Sequence, residues 1–230
     1  MSLGHGASKT VRDGIVLHLD AANPKSYSGS GTDWLDMSGH NNHASLKNSP
    51  TFVSDQGGYI RMDGTDDHAE VLNSSELNSE NMTLIVWLRG LSTTWDDTGY
   101  FISKRDVYVM HPNAGATSVS FYFRLNGNWR SRGGDIAVAF GPITEWRMYA
   151  QTWDGNTLAC YVDGQLFTST TSFSGETLNT SDTGVIHIGR DDSIGRYGNA
   201  DISVAEQYNR ALSASEIEQN FNALRGRYGV

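Results

Sequence analysis

An all-β sandwich or barrel closed by one C-terminal helix is the fold this sequence predicts. Three observations lead there. Runs rich in alternating, β-branched and aromatic residues recur at intervals of roughly 8–12 residues. Glycine is abundant (25) and proline scarce (4), a balance that suits many strands joined by tight turns. One segment near the C-terminus carries apolar residues at helical spacing instead. A chain of 230 residues can bury one sizeable core. No internal repeat, low-complexity block or linker divides it, so one domain is expected over residues 13–230, preceded by a polar arm at residues 1–12.

The elements follow in order. GIVLHLD (14–20) reads as the first strand, and the Gly-, Ser-, Asn- and Asp-rich stretch from Ala21 to Leu46 as a long ordered loop. TFVS, YIRMDG and DDHAEVL are short strands. In MTLIVWLRG (82–90), Met82, Leu84, Val86 and Leu88 share one face and Thr83, Ile85 and Trp87 the other. Apolar groups on both faces predict a central strand covered on both sides. GYFISK, DVYVMH, SVSFYFRL and DIAVAF are read as further strands, and EWRMYAQTWDG alternates most clearly. Asp163-Gly164 joins the next two runs as a two-residue hairpin, because a type I′ turn needs positive φ at both centres. VIHIGR and ADISVAEQYN complete the strands.

The closing helix announces itself. Ser213 followed by Glu216 is a capping box, and Leu212 before it can staple to Ile217. Ile217, Phe221 and Leu224 then form a single apolar stripe, with Gly226 as the expected end. So short a helix is marginal alone, so it must lie on the sheet.

Composition excludes several functions. A net charge of −9 argues against nucleic-acid binding, which calls for a basic patch. No run approaches the ~18 apolar residues of a membrane span. MSLGHGASKTVRDG lacks the apolar core of a signal peptide. The single cysteine, Cys160, shares a face with Leu158 and Val162 and reads as a buried small hydrophobe.

A last strand followed by Asn-Arg-Ala-Leu-Ser and a capped helix resembles the ending of laminin-G-like, concanavalin A-like domains. WRMYAQTWDGNTLACYVDGQLF resembles their hairpin and VIHIGRDD their Ile-Gly-Arg strand. WLDMSGHNNHASL with YIRMDGTDDHAEV resembles their N-terminal pair, with Met62 where phenylalanine is usual. The resemblance implies a two-sheet antiparallel jelly roll over nearly all of residues 13–228. DGIVLHLDAANPKSYSGSGTDWLDMSG is more narrowly similar to the opening of laminin-G-like proteins of tailed, especially marine, bacteriophages, which also end near NFNALRGRYG.

Catalysis is not expected. Glycosidases of this architecture line carboxylates along one strand as Glu-x-Asp-x-Glu, since hydrolysis needs an acid and a nucleophile at short separation. No Glu-x-Asp occurs here, and Glu145, Glu176 and Glu206 stand apart. Neither H-E-x-x-H nor G-x-S-x-G is present. His40 and His43 share a loop without further zinc ligands in view. Calcium wants six to eight hard oxygens. The pentraxin branch of the resemblance places its metal ligands at positions matching Asp106, Asp191 and Asp192, although the usual mid-chain Asp-Asn pair is Asp106-Val107 here. Asp63, Asp66 and Asp67 form a second acidic loop. For sugar, aromatic rings and paired polar groups are needed. Trp34, Trp95, Trp129 and Tyr197 fall in or beside loops, while Trp87, Trp146 and Trp153 read as core. Trp129, Arg130 and Arg132 ride on the hairpin NGNWRSRGG, which with Tyr197 makes a candidate docking surface.

The expectation is therefore a non-enzymatic interaction module. The phage resemblance makes it a virion protein of head or tail, assembled in the host cytoplasm. Its partners would be other virion proteins or copies of itself, with residues 1–12 inserting into a neighbour and host glycan as a further partner. The alternative is a carbohydrate-binding module, with calcium as the one cofactor in view. A glycosidase would require a carboxylate pair that only the fold could assemble.

Overall fold

The computed structural model describes residues 9–95, 99, 101–113, 115–192 and 195–230. Among the described residues, eighteen strands and two α-helices follow one another. The N-terminal third holds β1 (Ile15–Asp20), β2 (Asp33–Trp34), β3 (Ala44–Lys47), β4 (Thr51–Val53), β5 (Tyr59–Asp63) and β6 (His68–Val71). The middle holds β7 (Met82–Gly90), β8 (Ile102–Lys104), β9 (Tyr108–Pro112), β10 (Ser118–Leu125), β11 (Asn128–Asp135) and α1 (Ile136–Phe140). Next come β12 (Arg147–Trp153), β13 (Leu158–Val162), β14 (Gln165–Thr170) and β15 (Ile186–Ile188). The chain closes with β16 (Arg190–Asp191), β17 (Arg196–Tyr197), β18 (Asn199–Tyr208) and α2 (Ala214–Tyr228).

Two antiparallel sheets face each other. The first runs β14-β13-β12-β7-β18-β5-β4, with β1 also on β18, and the second β11-β10-β9-β8-β15-β6-β3-β2. Strands β16 and β17 form a small hairpin of their own. This is the jelly-roll sandwich that the sequence predicts, with its C-terminal helix.

The first sheet is apolar on both faces, as MTLIVWLRG requires. Leu84, Val86 and Leu88 face the inter-sheet core with Tyr149 and Cys160, against Ile102, Met110, Phe121 and Phe123 of the second sheet. Ile85 and Trp87 face outward into a second cluster with Trp146, Met148, Ile217, Phe221 and Tyr228. Helix α2 covers that cluster. Its Phe221 and Tyr228 rings stack on Trp87 with centroids at 5.6 and 4.5 Å. Each such ring contributes roughly 1.5–3 kcal/mol by burial. The Ser213–Glu216 capping box forms in both directions. The helix runs two residues past Gly226 and ends on Gly229 in the left-handed region. Burial of Tyr228 against Trp87 holds those two residues in the helix.

Other expectations are corrected. DIAVAF is no strand. Asp135 caps Val138 N–H, Gly141 (φ 92°) stops the segment, and between them lies helix α1. Five apolar residues in a row cannot separate the two periodicities, and the cap decides. The long loop contains β2 and β3, and Trp34 on β2 is fully buried. Trp95 is buried too. Of the segment GYFISK, Tyr100 lies outside the described residues, and the strand proper begins at Ile102.

Of the N-terminal arm, residues 1–8 lie outside the described residues. Residues 9–12 rest on the chain's own α2. Val11 N–H donates to Asn220 Oδ1 at 2.7 Å, and Gln219 donates to the Lys9 carbonyl at 2.8 Å.

Candidate functional site

Helix α2 packs on the outer face of the first sheet, whereas the outer face of the second carries a cavity. Alternation decides what lies there. In β10, Val119, Phe121, Phe123 and Leu125 are buried, and Tyr122 and Arg124 point the other way. Across the ladder, Tyr122 pairs with Val109 of β9 and Ser131 of β11, Ser120 with His111, and Arg124 with Trp129. The β10–β11 turn is Asn126-Gly127 with both residues at positive φ (47° and 75°), the two-residue geometry that fixes register and sets Trp129 on the outer face.

These side chains enclose a cavity of about 240 Å³ lined by Arg105, Val109, His111, Tyr122 and Trp129. The His111 and Tyr122 rings stack at 5.2 Å and 7°. Trp129 stands nearly perpendicular to Tyr122 at 6.1 Å and 88°. Two guanidinium groups flank the indole, Arg105 at 5.6 Å and Arg124 at 5.9 Å from its centroid. Each is held by a carboxylate. Arg105 Nη1 lies 3.3 Å from Oδ2 of Asp191, which is fully buried, and Arg124 donates to Asp106. His111 Nδ1 lies 2.6 Å from the Pro112 carbonyl, so that nitrogen is the donor. Burial pulls the His111 pKa below the ordinary imidazole value, which favours the neutral ring.

The β16–β17 hairpin continues this face. Ser103 Oγ donates to the Arg190 carbonyl at 2.9 Å and ties the hairpin to β8. Next to it, His68 Nε2 and His187 Nε2 approach Glu70 Oε1 at 3.2 and 3.6 Å, with Arg190 Nη1 at 3.7 Å from the same oxygen. Tyr197 packs on His68 (5.8 Å) and under Arg190 (5.5 Å). Burial lowers the His187 pKa as well.

The residues singled out in the sequence are thus distributed. Trp129 lines the pocket, Asp191 holds its lining residue Arg105, and Asp106 holds Arg124, which lies over the indole. Asp192 is exposed and pairs with Arg190 at 3.4 Å. Tyr197 sits on the same face, in β17 of the small hairpin. Arg130 and Arg132 point to the other side of β11, opposite the core residues Phe123 and Phe121. There they lie over Phe173 at 5.2 and 5.5 Å, and Arg130 forms a bidentate pair with Glu176. Arg105, His111 and Tyr122 were not singled out. Alternation in SVSFYFRL would have found Tyr122, whereas Arg105 meets Asp191 only through the topology.

Among the described residues, one group of three carboxylates brings its oxygens within 4.8 Å of one another: Asp63, Asp66 and Asp67, at the β5–β6 rim. Asp63 Oδ1 accepts the Thr65 amide at 2.8 Å, which folds the loop back. Burial and the neighbouring Asp63 charge raise the Asp67 pKa. Three hard oxygens gathered against their mutual repulsion suit a divalent cation such as calcium.

A family model described as the Concanavalin A-like lectin/glucanases superfamily matches residues 63–218. The chain belongs to that superfamily. No curated protein sequence matches it. Solved structures do. The binding domain of botulinum neurotoxin DC in complex with SialylT aligns with a TM-score of 0.73 and 14% identity, covering 93% of this chain and 52% of that one. The botulinum neurotoxin serotype D ligand-binding domain in complex with N-acetylneuraminic acid aligns at 0.70 and 14%, covering 94% and 52%. The binding domain of Paraclostridial Mosquitocidal Protein 1 aligns at 0.71 and 17%, covering 92% and 52%. The chain therefore spans about half the length of these matches, and at such identities the likeness carries the fold.

These matches correct the expectation of a phage origin. They are toxin binding domains and not virion proteins. The head or tail role, the virion partners, the virion location and the insertion of residues 1–12 into a neighbouring subunit go with it. All three are binding domains, in keeping with a chain that is not an enzyme. No helix among the described residues is long and apolar enough to cross a membrane.

Proposed function

We propose that this chain is a non-catalytic carbohydrate-binding module whose ligand seats on the outer face of the second sheet, in the Trp129 pocket. The observation that supports this is the pocket's composition. Half-buried rings of Trp129, Tyr122 and His111 offer apolar surface to the C–H face of a sugar, while Arg105 beside them offers donors to its oxygens. Asp191 and Asp106 fix Arg105 and Arg124 over the indole, so in this reading they act as positioning groups. Superfamily membership agrees with the ligand class. Two of the matched binding domains are in complex with SialylT and N-acetylneuraminic acid, which makes N-acetylneuraminic acid the first probe, with neutral sugars beside it. Calcium bound by Asp63, Asp66 and Asp67 would brace the rim between β5 and β6.

Isothermal titration of the intact chain with such sugars tests the proposal. Trp129→Ala should weaken binding at least ~10-fold, the scale of a central aromatic contact. Binding unchanged in Trp129→Ala and Tyr122→Ala would remove the ligand from this pocket.

A further inference from the structure

Lys104, the last residue of β8, is fully buried, a place lysine almost never takes unless it is paired. In the ladders it stands between Ile186 of β15 and Tyr108 of β9, both fully buried. Two loops close over its amine. From the β6–β7 loop, Asn73 Oδ1 accepts from Lys104 Nζ at 2.7 Å, and Asn78 Oδ1 accepts as well. From the β14–β15 loop, the Asp182 carbonyl accepts at 3.2 Å, and the Asp182 carboxylate Oδ1 lies at 3.7 Å. Nζ is thus enclosed by two carboxamides, with one carboxylate just behind them. Asn78 is the better fixed of the two amides. It follows Leu77, which is fully buried and whose carbonyl accepts from Gln207 Nε2 at 2.9 Å. Its own N–H donates to the Ser75 carbonyl at 3.1 Å. Asn73 instead follows Leu72, which is 74% exposed.

A cage built only to hold a charge would set a carboxylate in contact with the ammonium. Here the closest groups are neutral amides, and burial pulls the Lys104 pKa below the ordinary lysine value against the opposing charge of Asp182. A desolvated lysine gains the neutral, nucleophilic amine. Holding that amine against an amide in a dry, rigid setting replaces a slow encounter by a local one, with effective molarities of ~10⁵–10⁸ M. We infer that Lys104 and Asn78 join in an intramolecular isopeptide bond. Nζ adds to Asn78 Cγ. The Asp182 carboxylate takes one proton from Nζ and hands it to Asn78 Nδ2. The Cγ–Nδ2 bond then breaks and ammonia leaves. Amine plus carboxamide give a secondary amide plus ammonia, the carboxylate is regenerated, and no oxidant, reductant or cofactor takes part. Asp182 reaches solvent, with its side chain 15% exposed, so ammonia has a way out and its escape makes the step irreversible. The bond ties β8 to the β6–β7 loop across 26 positions. It constrains the unfolded chain as a disulfide would, in a sequence whose single cysteine allows no internal disulfide.

Mass spectrometry of the folded, aged and then denatured full chain reads the bond directly, because its formation removes one ammonia. The expected mass is lower than the sequence requires by one ammonia, with a branched peptide joining Lys104 to Asn78 after digestion. Lys104→Arg should restore the full mass. Asp182→Asn should slow the loss of ammonia at least ~100-fold in a refolding time course. The wild-type mass is decisive even where a variant does not fold. A full sequence mass for the wild-type chain would overturn the inference. So would an ammonia loss that persists in Lys104→Arg, because the exposed Asn126-Gly127 turn can shed ammonia by closing a succinimide.

Discussion

Replacing Glu206 with glutamine should stabilise this protein above neutral pH and hardly alter it in acid. Glu206 is 1% exposed on β18. Its Oε2 accepts the Tyr208 hydroxyl at 3.3 Å, while Oε1 faces His18 Nδ1 at 3.4 Å. Burial pushes its pKa up to about 7, from 4.5. Because the fold raises this pKa, its contribution is fully present below pH 4.5 and is lost as pH rises through about 7. A gap of that size amounts to on the order of 3 kcal/mol. His18 runs the other way. Burial lowers its pKa from 6.5 to about 4, so its contribution is present above 6.5 and lost as pH falls through 4. The two nearly cancel in the wild-type chain, both groups being neutral in the fold between about pH 4 and 7. Glutamine reproduces the protonated acid and removes only the Glu206 part. Denaturant unfolding of both proteins across this range should show Glu206→Gln gaining on the wild type as pH rises, from near zero to on the order of 3 kcal/mol. A difference constant with pH would mean that Glu206 is not held protonated by the fold.

Three further outcomes follow from the same contacts. Asp201→Asn removes the fully buried carboxylate shared by Arg61 and Arg89 and should cost about 2 kcal/mol in unfolding free energy, less than for a wholly buried pair because both arginines reach solvent. Ser213→Ala removes the α2 cap and should cost about 1 kcal/mol, or about 2–4 °C in Tm for a domain this size. Added calcium should raise Tm, Asp63→Asn should abolish the rise, and Asp106→Asn should leave it unchanged, all by thermal scanning. A rise that survives Asp63→Asn would move the cation elsewhere.

The fold was legible where local chemistry is unambiguous. Ser213, Glu216 and the Ile217–Phe221 stripe can only be a capped amphipathic helix, and the double apolar face of Met82–Leu88 can only be a strand covered twice. Legibility failed where segments are short. Ile136–Phe140 satisfies both periodicities until Asp135 caps it, and β2 and β3 are too brief to stand out in a polar stretch. Trp34 and Trp95 read as loop residues because the sequence does not show that these loops fold back over the core. The site was half legible. Trp129 could be named from its hairpin, and Tyr122 follows from alternation. Arg130 and Arg132 fall on the wrong face because register decides sidedness residue by residue. Arg105 needs Asp191, a partner 86 positions away. The phage resemblance misled for a related reason. Its motifs encode turns, caps and hairpins, which specify a sandwich and say nothing of what the sandwich serves.

Glycan binding at Trp129 is what gives this fold its proposed function. A glycan-array screen of the intact chain, with Trp129→Ala beside it, tests it most directly. A defined set of bound glycans is expected, which the variant loses while keeping its unfolding transition. An array dark for the wild type, or one the variant reproduces, would contradict it.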